Sequence, residues 1–325
     1  MSRTLSLNLK FITTSFPKPP FNFDATVYVP HHFLTPDFEW QKGVYWQTMN
    51  FCRRLFGIKM ENEGMVNKPK IKLSIYSERK LKKEEIESIV NEINFRYGLN
   101  EDISEFCNKF KSDKFLKLPI KRLKGMRINC ANSLYELLII AIVLQNATVR
   151  RSVQMMNNLF NTYGSKLKFD NKELFAYWKP EDLANVKEEE LRSLKVGYRA
   201  RMIKKVSDSF VKGEINEFEL RKMTTEEAKD ELMKLYGVGP ATAQIILGEY
   251  LRRYDLFDLK GKLWEQKILS RILFKKKLVP AQKIINLFER RYGKWKGLAF
   301  HYIFTDLFWK HKERKIKWLE KEIRM

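Results

Sequence analysis

The sequence lacks the cysteine and histidine patterns that build disulfide frameworks or metal sites. Its three cysteines are odd in number and widely spaced, which argues against disulfides and for a reducing compartment. No two cysteines have metal-ligand spacing, and the four histidines form no metal-binding motif. A zinc ribbon, an iron–sulfur cluster and any other metal site are therefore not expected.

Long apolar runs are also absent, and the charge is strongly unbalanced. No segment reaches the ~18 consecutive apolar residues that a membrane span needs, and the N-terminus lacks a signal-peptide layout. We expect no membrane contact and a cytoplasmic (nucleoid-associated) or nuclear location, not secretion. Lysine and arginine total 62 against 39 acidic residues, a net charge of +23. Such a charge favours nucleic acid as the partner; a ribosome-associated or merely lysine-rich protein is the alternative.

The chain divides into two regions by pattern. Residues 1–120 carry short segments rich in β-branched and aromatic residues, with partial alternation, and an amphipathic helix over 82–98. This region is predicted to be an α+β domain with an antiparallel sheet. From about residue 125 onward only helical patterns follow. Residues 121–325 are therefore predicted to form an all-α domain.

The stretch ELMKLYGVGPATAQIILGEY, at 231–250, breaks helical spacing with two glycines and a proline. Gly237 and Gly239 permit positive φ, and Pro240 suits the first turn of the following helix. The amides of Val238 and Gly239 are expected to be free there, and such amides suit a DNA phosphate. An ordinary tight turn is the alternative, and the net charge favours phosphate binding.

With its flanks, this stretch resembles the helix-hairpin-helix motif of the base-excision DNA glycosylases, the HhH-GPD superfamily, of AlkA type or 8-oxoguanine glycosylase type. The motif spans about 224–253, and its matching residues are Leu235, Gly237, Val238, Gly239, Thr242 and Ala243. SLYELLIIAIVLQNAT, GYRAR and RYGKWKGLAFHYIFTDLFW are similar to other ordered parts of that superfamily. The resemblance covers about 125–310. It implies a two-part helical domain with the active site in the cleft between the parts.

The resemblance implies an enzyme that flips a damaged base out of duplex DNA and hydrolyses its N-glycosidic bond. Asp258, nineteen residues after Gly239, matches the catalytic aspartate of the family. A carboxylate there stabilises positive charge on the sugar and orients or deprotonates the attacking water. The alternative for Asp258 is a helix cap before WEQKILSRILF, and Asp255 is the competing carboxylate.

One position departs from the bifunctional members of the family. They carry a lysine two residues after the second hairpin glycine, where its amine attacks the sugar; this chain has Ala241. The departure suggests a monofunctional enzyme, with an alkylated purine as the first expected substrate. Oxidised guanine is the second, and Lys260 and Lys262 leave a lyase activity open. The alternative that is not an enzyme is a non-catalytic helix-hairpin-helix DNA-binding protein.

Several side chains and amides are expected to contact DNA or the damaged base. The candidates for DNA contact are Gly237, Val238, Gly239, Ala241, Thr242, Gln145, Asn146, Arg199 and Arg201. Gln145 and Asn146 are candidates to fill the gap left by the flipped base, or else simply end a helix. Since electron-poor bases stack on aromatic rings, the candidate pocket residues are Trp178, Tyr198, Tyr236 and Trp295.

The expected partner is damaged double-stranded DNA, bound by a monomer. No cofactor is expected, except that a monovalent cation at the hairpin stays possible.

Overall fold

The computed structural model describes residues 4–32 and 34–322. Its strands are β1 (Thr4–Ser6), β2 (Asn8–Ser15), β3 (Phe38–Gln41), β4 (Val44–Phe51), β5 (Arg54–Asn62), β6 (Ile71–Ser77), β7 (Ser165–Phe169) and β8 (Lys172–Ala176). Five of them form an antiparallel sheet in the order β2-β6-β5-β4-β3. The predicted N-terminal antiparallel sheet is therefore confirmed.

Helices make up most of the remaining described chain. They are α1 (Phe23–Val27), α2 (Lys83–Arg96), α3 (Ser104–Phe110), α4 (Lys117–Leu123), α5 (Leu134–Leu144), α6 (Val149–Tyr163), α7 (Pro180–Ala184), α8 (Glu188–Leu191), α9 (Arg199–Val211), α10 (Glu217–Leu220), α11 (Thr225–Met233), α12 (Pro240–Ile245), α13 (Leu263–Phe274), α14 (Ala281–Tyr292), α15 (Lys296–Glu313) and α16 (Lys317–Glu322). A π-helical turn, Ile246–Tyr250, continues α12. Among the described residues, no helix is both long and apolar enough to span a bilayer.

The five-stranded sheet is covered on both faces. Tyr45 and Met49 of β4 face one core, which also holds Ile93 of α2. Trp46, on the opposite face of the same strand, packs in a second core with Leu167 of β7. Burial on two faces favours apolar residues at successive positions, which explains why the alternation in the strand sequences is only partial.

The hairpin of β7 and β8 contradicts the prediction that only helices follow residue 125. Its turn residues, Asp170 and Asn171, both have positive φ, at 47° and 58°, which suits a two-residue β-turn. β7 also pairs in parallel with β1, and Asp170 accepts hydrogen bonds from Trp46 (2.6 Å) and Tyr76 (3.0 Å). These contacts link the hairpin to the N-terminal sheet, and they are too distant in sequence for local periodicity to reveal.

The helices pack around two large apolar cores, and α13, α15 and α16 share a third, smaller one. The first draws its buried side chains from α5, α6, α9, α11 and α12, and the second from α3, α4, α13, α14 and α15. Helix α5 is buried along nearly its whole length. A loop of residues 251–262 leads from the first core to the second.

Candidate nucleic-acid interface and active site

The turn between α11 and α12 needs its two glycines for different reasons. Gly237 has φ +85°, and a Cβ there would lie 2.7 Å from Cγ of Met202. Gly239 has φ −96° and ψ −179°, and a Cβ built on it would meet no atom within 4 Å. The expectation of positive φ is therefore right for Gly237 and wrong for Gly239. The turn requires Gly237, whereas Gly239 keeps the outer surface of the turn open.

The start of α12 presents backbone amides, and the structure contradicts one of the two that the sequence predicts to be free. Within the described part of the chain the amide of Gly239 donates no backbone hydrogen bond, as predicted. Val238 is buried and its amide donates to the carbonyl of Leu235 at 3.1 Å, so the prediction of a free amide at Val238 is wrong. Pro240 occupies the first helical turn as predicted. The first amide to bond back within the helix is that of Ala243, to Gly239 at 2.9 Å. The amides of Ala241 and Thr242 precede it and have no intrahelical acceptor.

The side chain of Gln145 links this turn to the end of α5 through hydrogen bonds. Its Nε2 donates to the carbonyl of Gly237 at 2.9 Å and to Oγ1 of Thr242 at 3.2 Å. These bonds hold the Gln145 side chain against the turn, an arrangement that favours Asn146 over Gln145 for the predicted insertion into DNA. Asn146, by contrast, is exposed, with φ +47°. Its side chain donates at 3.4 Å to the hydroxyl of Tyr198, so Asn146 stays the candidate for insertion.

The segment before α9 lies against the same turn. Arg199 is only 7% exposed, and its guanidinium donates to the carbonyl of Gln145. The DNA contact of Arg199 stays a prediction, which this burial does not favour. Arg201 is exposed, and its guanidinium lies 5.2 Å from the ring centre of Tyr236. Residues 145–148, 195–201 and 236–242 together form one surface, which we call the hairpin face.

The structure does not bring the four aromatic pocket candidates together. Tyr198 and Tyr236 are each 45% exposed on the hairpin face, while Trp295 is buried in the second core. Trp178 lies near the other end of α5, where its indole donates to the hydroxyl of Tyr135 at 3.2 Å. Both side chains line a cavity of about 300 Å³ at that end, and α5 separates this cavity from the hairpin face by roughly 16 Å.

Asp258 lies on the loop that joins the two helical cores. Leu256 packs against the first core and Leu259 is buried in the second. Asp258 is half-buried between them, and its Oδ1 accepts a hydrogen bond from the amide of Lys260 at 3.0 Å. Because α13 begins only at Leu263, Asp258 closes a local turn and does not cap that helix, so the capping alternative is wrong. Asp255 is exposed.

Contacts that sequence reasoning missed hold this loop on two sides. The amide of Gly297 in α15 donates to the carbonyl of Tyr254 at 2.7 Å, and a Cβ at Gly297 would lie 2.6 Å from the carbonyl oxygen of Leu256. On the other side, Arg252 and the hydroxyl of Tyr254 donate to the carboxylate of Glu101. A glycine within a helical pattern is the only local signal for the first of these contacts.

A small recess lies beside this loop, between α1, α12 and α15. Its lining residues are Val29, His32, Met126, Arg127, Ile128, Asn129, Glu249, His301 and Thr305. His301 and Gly297 lie four residues apart, on one face of α15. Burial, with the nearby His32 and Lys262, lowers the pKa of His301 to about 3, so its imidazole is neutral at neutral pH. Sequence reasoning missed the recess because its residues come from four distant segments.

A metal ion and a monovalent cation would use different groups of this structure. Across residues 4–32 and 34–322, no group of three or more His, Cys, Asp or Glu side chains is suited to a metal ion. A monovalent cation at the hairpin would use carbonyl oxygens of the turn. Those of Leu235 and Gly237 already accept hydrogen bonds from Val238 and Gln145, which occupies one lone pair on each. Each of these oxygens keeps a second lone pair that could contact an ion, so the monovalent cation stays a prediction.

Known proteins share this fold and part of its sequence. Residues 139–291 match the family described as HhH-GPD superfamily base excision DNA repair protein. A DNA-3-methyladenine glycosylase from Bacillus subtilis (strain 168) is 24% identical over 225 residues, which is 68% of this chain and 73% of that protein.

Two solved structures show the likeness of the fold. A 3-methyladenine DNA glycosylase from Archaeoglobus fulgidus has a TM-score of 0.74 and 18% identity, covering 91% of this chain and 98% of its own. The 8-oxoguanine glycosylase/lyase of Clostridium acetobutylicum, in complex with double-stranded DNA containing cytosine opposite 8-oxoguanine, has a TM-score of 0.67 and 20% identity. It covers 95% of this chain and 99% of its own.

Proposed function

Because this chain carries a domain of the HhH-GPD superfamily of base excision DNA repair proteins, we propose that it is a monofunctional DNA glycosylase that releases an alkylated purine from damaged duplex DNA. The observation that carries the proposal is the position of Asp258, half-buried on the loop between the two helical cores. In this proposal residues 1–120 and 121–325 are the two domains, and the active site lies in a cleft between two parts of the helical domain. The protein acts as a monomer.

The hairpin face is the proposed DNA-binding surface. The amides of Ala241 and Thr242 point out of the first turn of α12, where the helix dipole also favours an anion. A DNA phosphate bound there needs close approach of the backbone, which the bare Gly239 permits. Exposed Asn146 and Arg201 lie on the same face and are positioned to contact the DNA. The net charge of +23 adds a general attraction.

Asp258 supplies the proposed chemistry. Cleavage of the glycosidic bond leaves positive charge on the sugar, and a nearby carboxylate stabilises that charge more strongly in a site shielded from water. The same carboxylate can orient the attacking water or accept its proton. The contacts of Gly297 and Glu101 with the loop restrict its movement, so the carboxylate is positioned before the DNA binds.

The absence of an amine at Ala241 supports hydrolysis by water over attack by a lysine. One observation favours a second candidate, an oxidised-guanine glycosylase with lyase activity. Lys262 is half-buried, and its charge acts on His301 in the recess, so an amine lies near the proposed site. The likeness to the Clostridium acetobutylicum enzyme agrees with this candidate at the level of the fold.

Duplex oligonucleotides that each carry one lesion test the proposal. The panel contains an alkylated purine, 8-oxoguanine and an undamaged control, and each product is divided into samples with and without hot alkali. We expect strand cleavage of the alkylated duplex only after alkali, because base release leaves an intact strand with an abasic site. Cleavage without alkali would establish lyase activity. Binding to every duplex with no base release would identify a non-catalytic DNA-binding protein.

A further inference from the structure

The carboxylate of Glu249 lies in the recess beside the Asp258 loop. Glu249, at the end of the π-helical turn that continues α12, is half-buried and lines the recess. Within residues 4–32 and 34–322, Glu249 makes no hydrogen bond and no ion pair. A partly buried charge is costly when nothing compensates it. The carboxylate is therefore available to a ligand that supplies the missing partner.

Within residues 4–32 and 34–322, none of the cationic or potentially cationic residues that line the recess forms an ion pair with Glu249. Arg127 also lines the recess, but its guanidinium donates to four backbone carbonyls, at 2.7–3.0 Å. His301 is neutral at neutral pH, as described above. The recess therefore presents the carboxylate of Glu249 beside the neutral imidazole of His301, while the carboxylate of Glu101 partly offsets the positive charge of Arg127.

The recess is placed to receive a base whose sugar lies at Asp258. The Asp258 loop contacts α15 at Gly297, and His301 lies one turn further along the same face, a rise of roughly 6 Å. Glu249 stands nine residues after Pro240, so α12 and its continuation separate it from the proposed phosphate site by roughly 13 Å. One helix thus connects the phosphate site to the recess.

We propose, in an inference that rests on the proposed function, that this recess receives the flipped base and that Glu249 selects purines carrying a positive charge. Alkylation at N3 or N7 makes a purine cationic, and the carboxylate both offsets that charge and accepts a hydrogen bond from the base. A neutral purine lesion lacks the charge interaction. In this conformation the cavity in the recess has a volume of only about 10 Å³. A purine therefore enters only when the wall moves, and exposed His32 is the part of the wall nearest solvent.

Glu249→Gln tests the selection because glutamine keeps the shape of the side chain and removes its charge. Single-turnover excision is measured on duplexes carrying 7-methylguanine, which is cationic, or hypoxanthine, which is neutral. We expect Glu249→Gln to slow excision of 7-methylguanine by roughly 10- to 100-fold, as the loss of one partly desolvated charge interaction implies, and to change excision of hypoxanthine less than roughly threefold. Glu189→Gln, an exposed site on α8, controls for the change in net charge and should leave both rates unchanged.

A binding measurement separates failure of this inference from failure of the proposed function. In an Asp258→Asn background, which leaves the recess intact, we expect tighter binding to the 7-methylguanine duplex than to undamaged DNA. Adding Glu249→Gln should remove that preference. An equal loss of excision on both lesions, or a binding preference that survives Glu249→Gln, would overturn the role of Glu249. Another outcome is that the unmodified protein excises neither lesion while Asp258→Asn still prefers the 7-methylguanine duplex. In that case the proposed glycosylase activity fails and the recess assignment stands.

Discussion

The side-chain amide of Gln145 lies 2.9 Å from the carbonyl oxygen of Gly237, and so joins the end of α5 to the turn of the hairpin. The carbonyl of Gln145 in turn accepts a hydrogen bond from the buried Arg199. Gln145 therefore contacts both of the other segments of the hairpin face, which makes the geometry of the proposed phosphate site dependent on a side chain outside the hairpin.

Gln145→Ala should loosen this face. The change leaves the carbonyl of Gly237 without its side-chain donor, and we expect a loss of about 1–2 kcal/mol in the free energy of unfolding, measured by urea denaturation. Binding to undamaged and damaged duplexes should weaken together. Asn146→Ala is the matched control, since Asn146 is exposed: its stability should stay within about 0.5 kcal/mol, while base excision slows. Unchanged stability in Gln145→Ala would show that the hydrogen bond is unimportant.

The two glycines of the hairpin should respond differently to the same substitution. Gly237→Ala places a Cβ at positive φ and 2.7 Å from Met202, so we expect a loss of about 1–3 kcal/mol in stability. Gly239→Ala meets no neighbour and should fold normally, yet its Cβ projects toward the proposed phosphate and should weaken DNA binding. Thermal unfolding and fluorescence anisotropy with a duplex measure the two effects. Normal DNA affinity in Gly239→Ala would argue against phosphate contact at this turn.

Asp258→Asn should abolish base excision without loss of the fold or of DNA affinity. Removing a charge that stabilises the transition state is expected to slow excision by about 10²–10³-fold or more, measured in single turnover with excess enzyme. Asp255→Asn, three residues earlier and exposed, is the control and should retain the normal rate. The reverse result, with Asp255→Asn inactive and Asp258→Asn active, would move the catalytic carboxylate by one turn of the chain.

The features that follow from local patterns could be predicted from the sequence. The helix over 82–98 appears as α2, with Ile89 and Ile93 buried, because an apolar stripe at helical spacing is a local property. The recess could not be found in this way, since Glu249 and His301 meet only through tertiary packing. The same limit applies to Gln145, whose sequence position suggests a helix end but does not identify Gly237 as its partner.

Gly297→Ala should displace the Asp258 loop. In an ordinary helix the change from glycine to alanine favours the helix by about 1 kcal/mol, but here the new Cβ would lie 2.6 Å from a backbone oxygen of Leu256. We therefore expect lower stability and a lower maximal rate of excision, with DNA affinity retained. Gly248→Ala is the control, because a Cβ there meets nothing within 4 Å. A normal excision rate in Gly297→Ala would show that the position of the loop does not limit catalysis.

Borohydride trapping tests the absence of an amine at Ala241. A lysine that attacks the opened sugar forms a Schiff base, which borohydride reduces to a permanent protein–DNA crosslink. Ala241 has no amine, so the unmodified protein should form little crosslink on its lesion substrate. Ala241 is exposed in the first turn of α12, and Ala241→Lys should therefore create measurable trapping without loss of the fold.

Strong trapping by the unmodified protein would show that another lysine attacks the sugar. Lys262→Gln and Lys260→Gln would then identify it, Lys262 first because its charge acts on His301 in the recess. That outcome would make the enzyme bifunctional and place an oxidised base ahead of an alkylated one as the substrate.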